Sequence, residues 1–186
     1  MPDPRDQQLS SYDYLLPQER IAQAPVEPRH SARLLMVPPA GKGPEAARHG
    51  VVWDLLEELK PGDLLVVNNT RVIPARLAGR RGEAGIGITL HKQEGGARWR
   101  VFAKPARKCR PGDVIVFGPD FAARVEGRGD GGEVLLEFID PARDESLGPE
   151  AFQAGLAQHG SMPLPPYIRR PDGSTDADAE DYQTMF

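Results

Sequence analysis

The densest group of polar side chains in this sequence follows an apolar run and spans residues 68–76. Within it, Asn69 and Thr70 can donate or accept hydrogen bonds, and Arg71 and Arg76 each carry a planar guanidinium suited to phosphate or carboxylate. Because ligands of α/β folds bind at the carboxyl ends of strands, this position indicates a substrate site. An Asx-type turn with two surface arginines explains the same residues equally well. The chemistry of the segment leaves both interpretations open.

A second candidate segment, Gly160–Ile168, is apolar and rich in proline. Proline disfavours helix in the residue before it, so the segment is expected to be extended. It has the character of a pocket wall, and the aromatic ring of Tyr167 could stack on a nucleobase. A linker pressed onto a core, or a proline-rich ligand, fits the same composition.

Basic residues are concentrated in the middle of a chain that is acidic overall. Residues 71–110 carry 11 basic and 2 acidic side chains, whereas the net charge of the whole chain is −4. Such a block can form an electrostatic footprint for phosphates, although a solvated face of strands is the interpretation that charge alone favours. If the block binds a nucleic acid, the candidate phosphate contacts are Arg80, Arg81, Arg100 and Lys104.

Other reactive side chains indicate little chemistry. His159 falls at the end of a predicted helix, where a structural cation is favoured over a general base. The histidines lack metal-site spacing, so no metal is expected. Cys109, the single cysteine, lies between Lys108 and Arg110, which should lower its pKa, and we interpret it as an incidental loop thiol. With no signal peptide and no apolar run of membrane-spanning length, a soluble cytoplasmic protein is expected.

The elements that would position these residues can be read from the hydrophobic pattern. We expect a strand over 31–37, a helix over 51–59 and a strand buried on both faces over 64–67. Five further short strands predict a small barrel or sandwich, at 86–91, 99–103, 114–117, 122–125 and 134–138. Pro149 suits the first position of a helix over 149–159, and Gly160 suits its end. The chain stops on an apolar segment, 182–186, from which we expect it to be truncated.

Three long segments together resemble one family, the S-adenosylmethionine:tRNA ribosyltransferase-isomerases of queuosine biosynthesis. The first runs from Pro17 to Leu35, the second from Trp53 to Leu77, and the third combines Gly160–Ile168 with Asp181-Tyr182-Gln183-Thr184. They occur in the family's order with similar separations. The similarity extends from about Tyr12 to the last residue.

The resemblance implies an α+β fold, in which an α/β domain, incomplete here, carries an inserted antiparallel β-barrel. Residues 1–75 would form the first part of the α/β domain, 76–147 the barrel, and 148–186 the return to the α/β domain. The chain would be the N-terminal half of the enzyme. Part of the active site would then lie beyond residue 186, and this half alone is expected to be inactive.

The resemblance also implies an activity. The ribosyl part of S-adenosylmethionine would be transferred to 7-aminomethyl-7-deazaguanine at the wobble position of tRNA with a GUN anticodon, and isomerised to epoxyqueuosine. S-adenosylmethionine would be a co-substrate, with no further cofactor. The implied substrate-binding candidates are Asn69, Thr70, Arg71, Arg76, Met162, Pro163, Pro166 and Tyr167, and no general base is assigned. The alternatives are a non-catalytic RNA-binding β-barrel module and, less favoured, an unrelated small-molecule transferase or oxidoreductase.

Overall fold

The computed structural model describes residues 4–39, 43–171 and 173–183, which fall into two compact units. The described residues of Met1–Leu65 and Pro166–Arg169 form the first unit. Those of Val66–Pro165 and Arg170–Phe186 form the second. The domain boundaries at 75 and 147 stay a prediction.

The first unit contains one small antiparallel strand pair and a short helix. Strand β1 (Arg33–Met36) pairs with β2 (Arg48–Val51), which confirms a strand within 31–37. The helix expected over 51–59 is shorter than predicted, because a 3-10 turn occupies Val52–Asp54 before α1 (Leu55–Glu58). The Asp54 carboxylate accepts the Val51 N–H at 2.8 Å, which fixes the start of this turn.

The second unit is built around a closed β-barrel. Its strands are β3 (Arg76–Arg81), β4 (Ala84–Gly95), β5 (Arg98–Lys104), β6 (Val114–Gly118), β7 (Phe121–Arg128) and β8 (Glu133–Asp140). They pair antiparallel in the order β3-β4-β5-β8-β7-β6, and β6 returns to β3 through Arg80 opposite Val116. The sheet therefore closes on itself, which removes its free edges. Of the two forms that the sequence predicts, barrel and sandwich, the structure has the barrel. The α+β class with an antiparallel barrel is therefore confirmed.

Alternation of side chains along the strands fills the barrel. On β8, Val134, Leu136 and Phe138 are fully buried, while the residues between them are partly exposed. Side chains of a strand point alternately to its two faces, which accounts for this pattern. Burying each such side chain contributes about 1.5–3 kcal/mol, so the barrel interior is a major source of this unit's stability.

One helix closes over the barrel and leads back to the candidate site. Strand β9 (Glu145–Ser146) precedes α2 (Pro149–His159), whose bounds match the prediction. Strand β10 (Gly160–Ser161) and α3 (Asp176–Asp181) follow. Buried Phe152 and Leu156 share the core face of α2, and a Cβ at Gly155 would lie 2.2 Å from the Phe121 ring. The missing side chain at Gly155 thus permits close packing of the helix on the barrel.

The strand expected over 64–67 is absent, and that prediction is wrong. Leu64, Leu65, Val66 and Val67 are 87%, 63%, 83% and 47% exposed and belong to no strand. A continuous apolar run is buried only where neighbouring strands and helices cover it. Among the described residues no strand pairs with this run. The composition of the run is that of a buried strand, but in the structure the run is exposed.

Cys109 also departs from expectation. The side chain is fully buried in the barrel core, next to the 3-10 turn Ala106–Lys108. Burial raises the pKa of the Cys109 thiol, whereas its basic sequence neighbours predicted a lowered pKa. Desolvation of a thiolate outweighs the attraction of exposed cations, so the group is an inert core thiol.

No helix in the described part of the chain has the length and apolar character of a membrane span.

Candidate active-site cleft

A cleft of about 360 Å³ lies in the second unit, where two of the sequence motifs meet. It is bounded by the segment 71–74, the junction of α2 with β10, and helix α3. Its volume is within the range of small-molecule sites. The lining residues are Arg71, Val72, Pro74, Ala157, Gly160, Ser161, Met162, Ser174, Thr175, Asp176, Ala179 and Gln183.

Gln183 joins two of the walls. Its Oε1 accepts the Val72 N–H at 2.9 Å, and its Nε2 donates to the Val72 carbonyl at 3.1 Å. The same Nε2 donates to the Ala179 carbonyl on α3 at 3.2 Å. The side-chain amide therefore satisfies both backbone groups of Val72, as a neighbouring strand would. Residues 71–74 are held against α3 although they have no regular secondary structure.

Asp178 fixes the start of α3. Its buried carboxylate accepts hydrogen bonds from Nε of Arg170 at 3.0 and 3.1 Å, and from a terminal guanidinium nitrogen at 2.8 Å. It also accepts the N–H of Thr175 at 2.7 Å and the Thr175 hydroxyl at 2.9 Å, which completes a capping box. The Arg170 guanidinium, followed by the Thr175 hydrogen bonds, lowers the pKa of Asp178 to about 2. The carboxylate is thus a structural anion.

Gly160, the first residue of the second candidate segment, lies where neighbouring backbone comes too close for a side chain. Gly160 pairs with Leu77 where β10 meets β3. A Cβ at Gly160 would lie 2.3 Å from the Pro74 carbonyl oxygen and 2.4 Å from that of Leu156. Only a residue without a side chain fits, and its φ of −81° needs no special freedom. The contact brings Ser161 and Met162 to the wall of the cleft.

The structure brings together some of the predicted substrate-binding residues and separates others. Arg71 and Met162 both line the cleft, with Met162 only 6% exposed. Asn69, Arg76 and Pro163 are near in sequence but do not line it.

The Asx turn considered for the first candidate segment is present. The Asn68 side-chain oxygen accepts the Thr70 N–H at 2.9 Å and the Thr70 hydroxyl at 2.7 Å. Thr70 therefore stabilises the turn that precedes Arg71. The turn interpretation is therefore confirmed, and the turn precedes an arginine that lines the cleft. The substrate-site interpretation stays a prediction.

Pro166 and Tyr167 belong to the first unit. Tyr167 is 55% exposed, and its carbonyl accepts a hydrogen bond from Nε2 of Gln23 at 3.1 Å. The Arg169 N–H donates to Oε1 of the same glutamine at 2.8 Å. Gln23 therefore holds this short segment as Gln183 holds Val72 in the second unit.

Sequence reasoning missed Gln183, Thr175 and Asp176 as cleft residues. Two signals were available. Gln183 belongs to the Asp-Tyr-Gln-Thr motif used for the resemblance, although Thr184 of that motif lies outside the described residues. Thr175 and Asp178 have the spacing of a capping box, which marks a helix start and the turn before it.

Acidic residues neutralise most of the candidate phosphate contacts. Arg81 pairs with Asp113 at 2.7 Å, and Arg80 lies 3.5 Å from Glu83. Arg100 pairs with Glu133 at 2.7 Å and more closely with Glu94, and these hydrogen bonds raise the pKa of Arg100. Within the described residues, Lys104 has no acidic partner in salt-bridge distance. Three of the four candidate phosphate contacts are thus paired with carboxylates, which reduces their attraction for phosphates.

His159 has structural partners. Its Nε2 lies 3.0 Å from a carboxylate oxygen of Asp120, and its ring stacks on Phe121 with centroids 5.7 Å apart. The hydrogen bond from His159 lowers the pKa of Asp120. The imidazole also covers Gly118, where a Cβ would approach it to 2.2 Å. His159 thus fastens the end of α2 to the β6–β7 hairpin, in agreement with the structural interpretation.

Comparison with known proteins identifies the family. The sequence profile described as "Queuosine biosynthesis protein" matches residues 9–186. The S-adenosylmethionine:tRNA ribosyltransferase-isomerase of Parasynechococcus marenigrum is 55% identical over 189 residues, covering 100% of this chain and 50% of the relative. That of Rhodospirillum rubrum is 48% identical and covers 94% of this chain and 47% of the relative.

A solved structure, the S-adenosylmethionine tRNA ribosyltransferase of Thermotoga maritima, is 34% identical, covers 81% of this chain and 55% of that chain, and gives a TM-score of 0.35. The chain spans about half the length of the curated relatives it matches. The profile match covers nearly the whole chain. The chain therefore belongs to the queuosine biosynthesis protein family.

Proposed function

We propose that this chain supplies part of the active site of an S-adenosylmethionine:tRNA ribosyltransferase-isomerase. The observation that carries the proposal is the cleft, at which segments of two separate motifs converge through Gln183 and Gly160. The relatives that are about half identical to the chain carry this name. The proposed substrates are S-adenosylmethionine and a tRNA with a GUN anticodon bearing 7-aminomethyl-7-deazaguanine at the wobble position.

The proposed reaction uses the reactivity of a sulfonium. The sulfonium acidifies the adjacent C–H, so a general base can remove that proton while adenine leaves. The C–O bond of the sugar ring breaks as adenine leaves with a proton, which opens the sugar. The aminomethyl nitrogen then bonds to a sugar carbon and loses a proton, a carbon–carbon bond closes the five-membered carbocycle, and a sugar oxygen displaces methionine from its carbon to close the epoxide. S-adenosylmethionine is consumed as a co-substrate, so the proposal needs neither metal nor further cofactor. The proposed place of action is the cytoplasm, where tRNA is found.

In this proposal the cleft binds and shields the co-substrate. Met162 and the other apolar lining residues would exclude water, which strengthens the charge interactions inside the site. Gln183 and Asp178 would act indirectly, because they hold the walls in place. The exposed run 64–67 supports a larger assembly, since further strands would pair there. We place the remaining catalytic groups, including the general base, in the part of the relatives that this chain does not span.

The test is adenine release from S-adenosylmethionine in the presence of tRNA that carries the aminomethyl base. Two proteins are compared: this chain, and an extended chain in which it is joined to the half of the Parasynechococcus marenigrum relative that it does not span. The proposal predicts release by the extended chain and none by this chain alone. If neither folded protein releases adenine but both bind tRNA with steep salt dependence, the RNA-binding module replaces the enzyme.

A further inference from the structure

We infer that the cleft binds the amino-acid end of S-adenosylmethionine, with Arg71 contacting the α-carboxylate and Asp176 the α-ammonium group. This inference rests on the proposed function, and it assigns one end of the co-substrate to one place. The adenine end would then lie outside the cleft.

The first argument is the charge of the lining. Arg71 and Asp176 are its two charged residues. Both are exposed, and within the described residues neither makes a hydrogen bond or an ion pair through its side chain. The neighbouring charges Arg170 and Asp178, by contrast, are fully engaged with each other. The cleft therefore offers one available cation and one available anion.

This pair of charges matches an α-amino acid in sign and number. The methionyl end of S-adenosylmethionine carries a carboxylate and an ammonium group on the same carbon atom. A guanidinium such as that of Arg71 can donate two parallel hydrogen bonds to a carboxylate. A carboxylate such as that of Asp176 can accept hydrogen bonds from an ammonium group. A tRNA phosphate is a poorer match, because Asp176 would repel it. The charges thus favour a zwitterion over a phosphate.

The second argument is the character of the walls. Among the described lining residues none is aromatic, so the cleft has no ring on which adenine could stack. Its apolar surface comes from Val72, Pro74, Met162 and two alanines, which suit the methylene chain between the amino acid and the sulfonium. The lining therefore favours the amino-acid end of the co-substrate over its nucleoside.

The third argument is the rigidity of the backbone beside each charge. Val72, next to Arg71, has both backbone groups bonded to Gln183. Thr175, next to Asp176, has its N–H and hydroxyl bonded to Asp178. Two exposed side chains are thereby anchored on fixed backbone, which limits the ordering cost of binding.

The test separates the two ends of the ligand in the extended chain. Affinities are measured by calorimetry for S-adenosylhomocysteine, which keeps the amino acid, and for 5′-methylthioadenosine, which lacks it. Arg71→Gln and Asp176→Asn should each lower the affinity for S-adenosylhomocysteine by about ten- to a hundredfold, because each removes a charge-assisted hydrogen bond. Binding of 5′-methylthioadenosine should stay within about twofold, because no contact to it is lost.

Arg107→Gln is the matched control, since this exposed arginine lies on the turn Ala106–Lys108 and outside the cleft. It should change neither affinity. Unaltered S-adenosylhomocysteine affinity in both cleft variants would overturn the inference, as would equal losses for the two ligands. Failure of the unsubstituted extended chain to bind S-adenosylhomocysteine would instead refute the proposed function. A loss of tRNA affinity alone in Arg71→Gln would assign that residue to phosphate.

Discussion

Replacing Gln183 with alanine should release residues 71–74 from α3 without unfolding the barrel. The substitution removes two hydrogen bonds to Val72 and one to Ala179. A net value of about 0.5–1.5 kcal/mol for each bond to Val72 gives a loss of about 1–3 kcal/mol. Because Val72 is only partly buried, water can replace the lost partner, which keeps the loss near the middle of this range. A loss of about 2 kcal/mol raises the local opening equilibrium about thirtyfold.

Amide hydrogen exchange measures this opening directly. The Val72 N–H should exchange about thirtyfold faster in Gln183→Ala, while the amides of the barrel strands keep their protection. Gln93→Ala is the matched control, because Gln93 donates one hydrogen bond to the Gly96 carbonyl at 2.8 Å in the β4–β5 hairpin. Gln183→Glu should retain much of the protection at Val72, since a carboxylate oxygen still accepts its N–H. An unchanged Val72 exchange rate in Gln183→Ala would refute the reasoning.

Three further results are expected. Gly160→Ala should lower the free energy of unfolding of the second unit, measured in urea, by about 1–3 kcal/mol, because the new methyl group meets the Pro74 carbonyl. A free energy of unfolding equal to that of the unsubstituted protein would contradict this close approach. The pKa of Asp178 is about 2 in the folded protein, below its ordinary value of 3.8. As the pH drops, the unfolded chain therefore binds the proton before the folded protein does. The free energy of unfolding should fall between about pH 4 and about pH 2. Asp178→Asn should remove that part of the pH dependence, and an identical profile would show that the group is not responsible. The Cys109 thiol should react with a thiol reagent only after unfolding, and rapid labelling of the folded protein would contradict its burial.

The barrel and α2 were predictable from the sequence because their signals are local. Alternating apolar residues and turn clusters mark five of the six barrel strands, whereas β3 (Arg76–Arg81), with few apolar residues, was not predicted as a strand. Pro149 and Gly160 mark the two ends of the helix. These patterns depend on neighbours a few residues away. The positions of the elements therefore agree with the structure within a few residues.

The predictions that differ from the structure depend on distant partners. The run 64–67 has the composition of a buried strand, but composition does not say whether a partner strand is present. Cys109 was judged by its neighbours in sequence, whereas the barrel core decides its environment. The net charge of residues 71–110 was counted without acidic residues from later strands. Strand pairing places one of them, Glu133, beside Arg100.

The candidate site was predictable in part. Arg71 and Met162 were found through motif chemistry and resemblance, and both line the cleft. Gln183 contacts Val72 across 111 residues of sequence, so no local pattern could indicate its role. Asp176 has no sequence signature apart from its position after a capping threonine.

The central claim, that this cleft binds S-adenosylmethionine for the reaction, is tested most directly by the rate of adenine release. The rate is measured in the extended chain at S-adenosylmethionine concentrations below KM, with Arg71→Gln compared against Arg107→Gln. Loss of a charge-assisted contact to the co-substrate predicts a kcat/KM lower by about tenfold or more in Arg71→Gln and unchanged in the control. Equal rates in the two variants and the unsubstituted extended chain would contradict the claim.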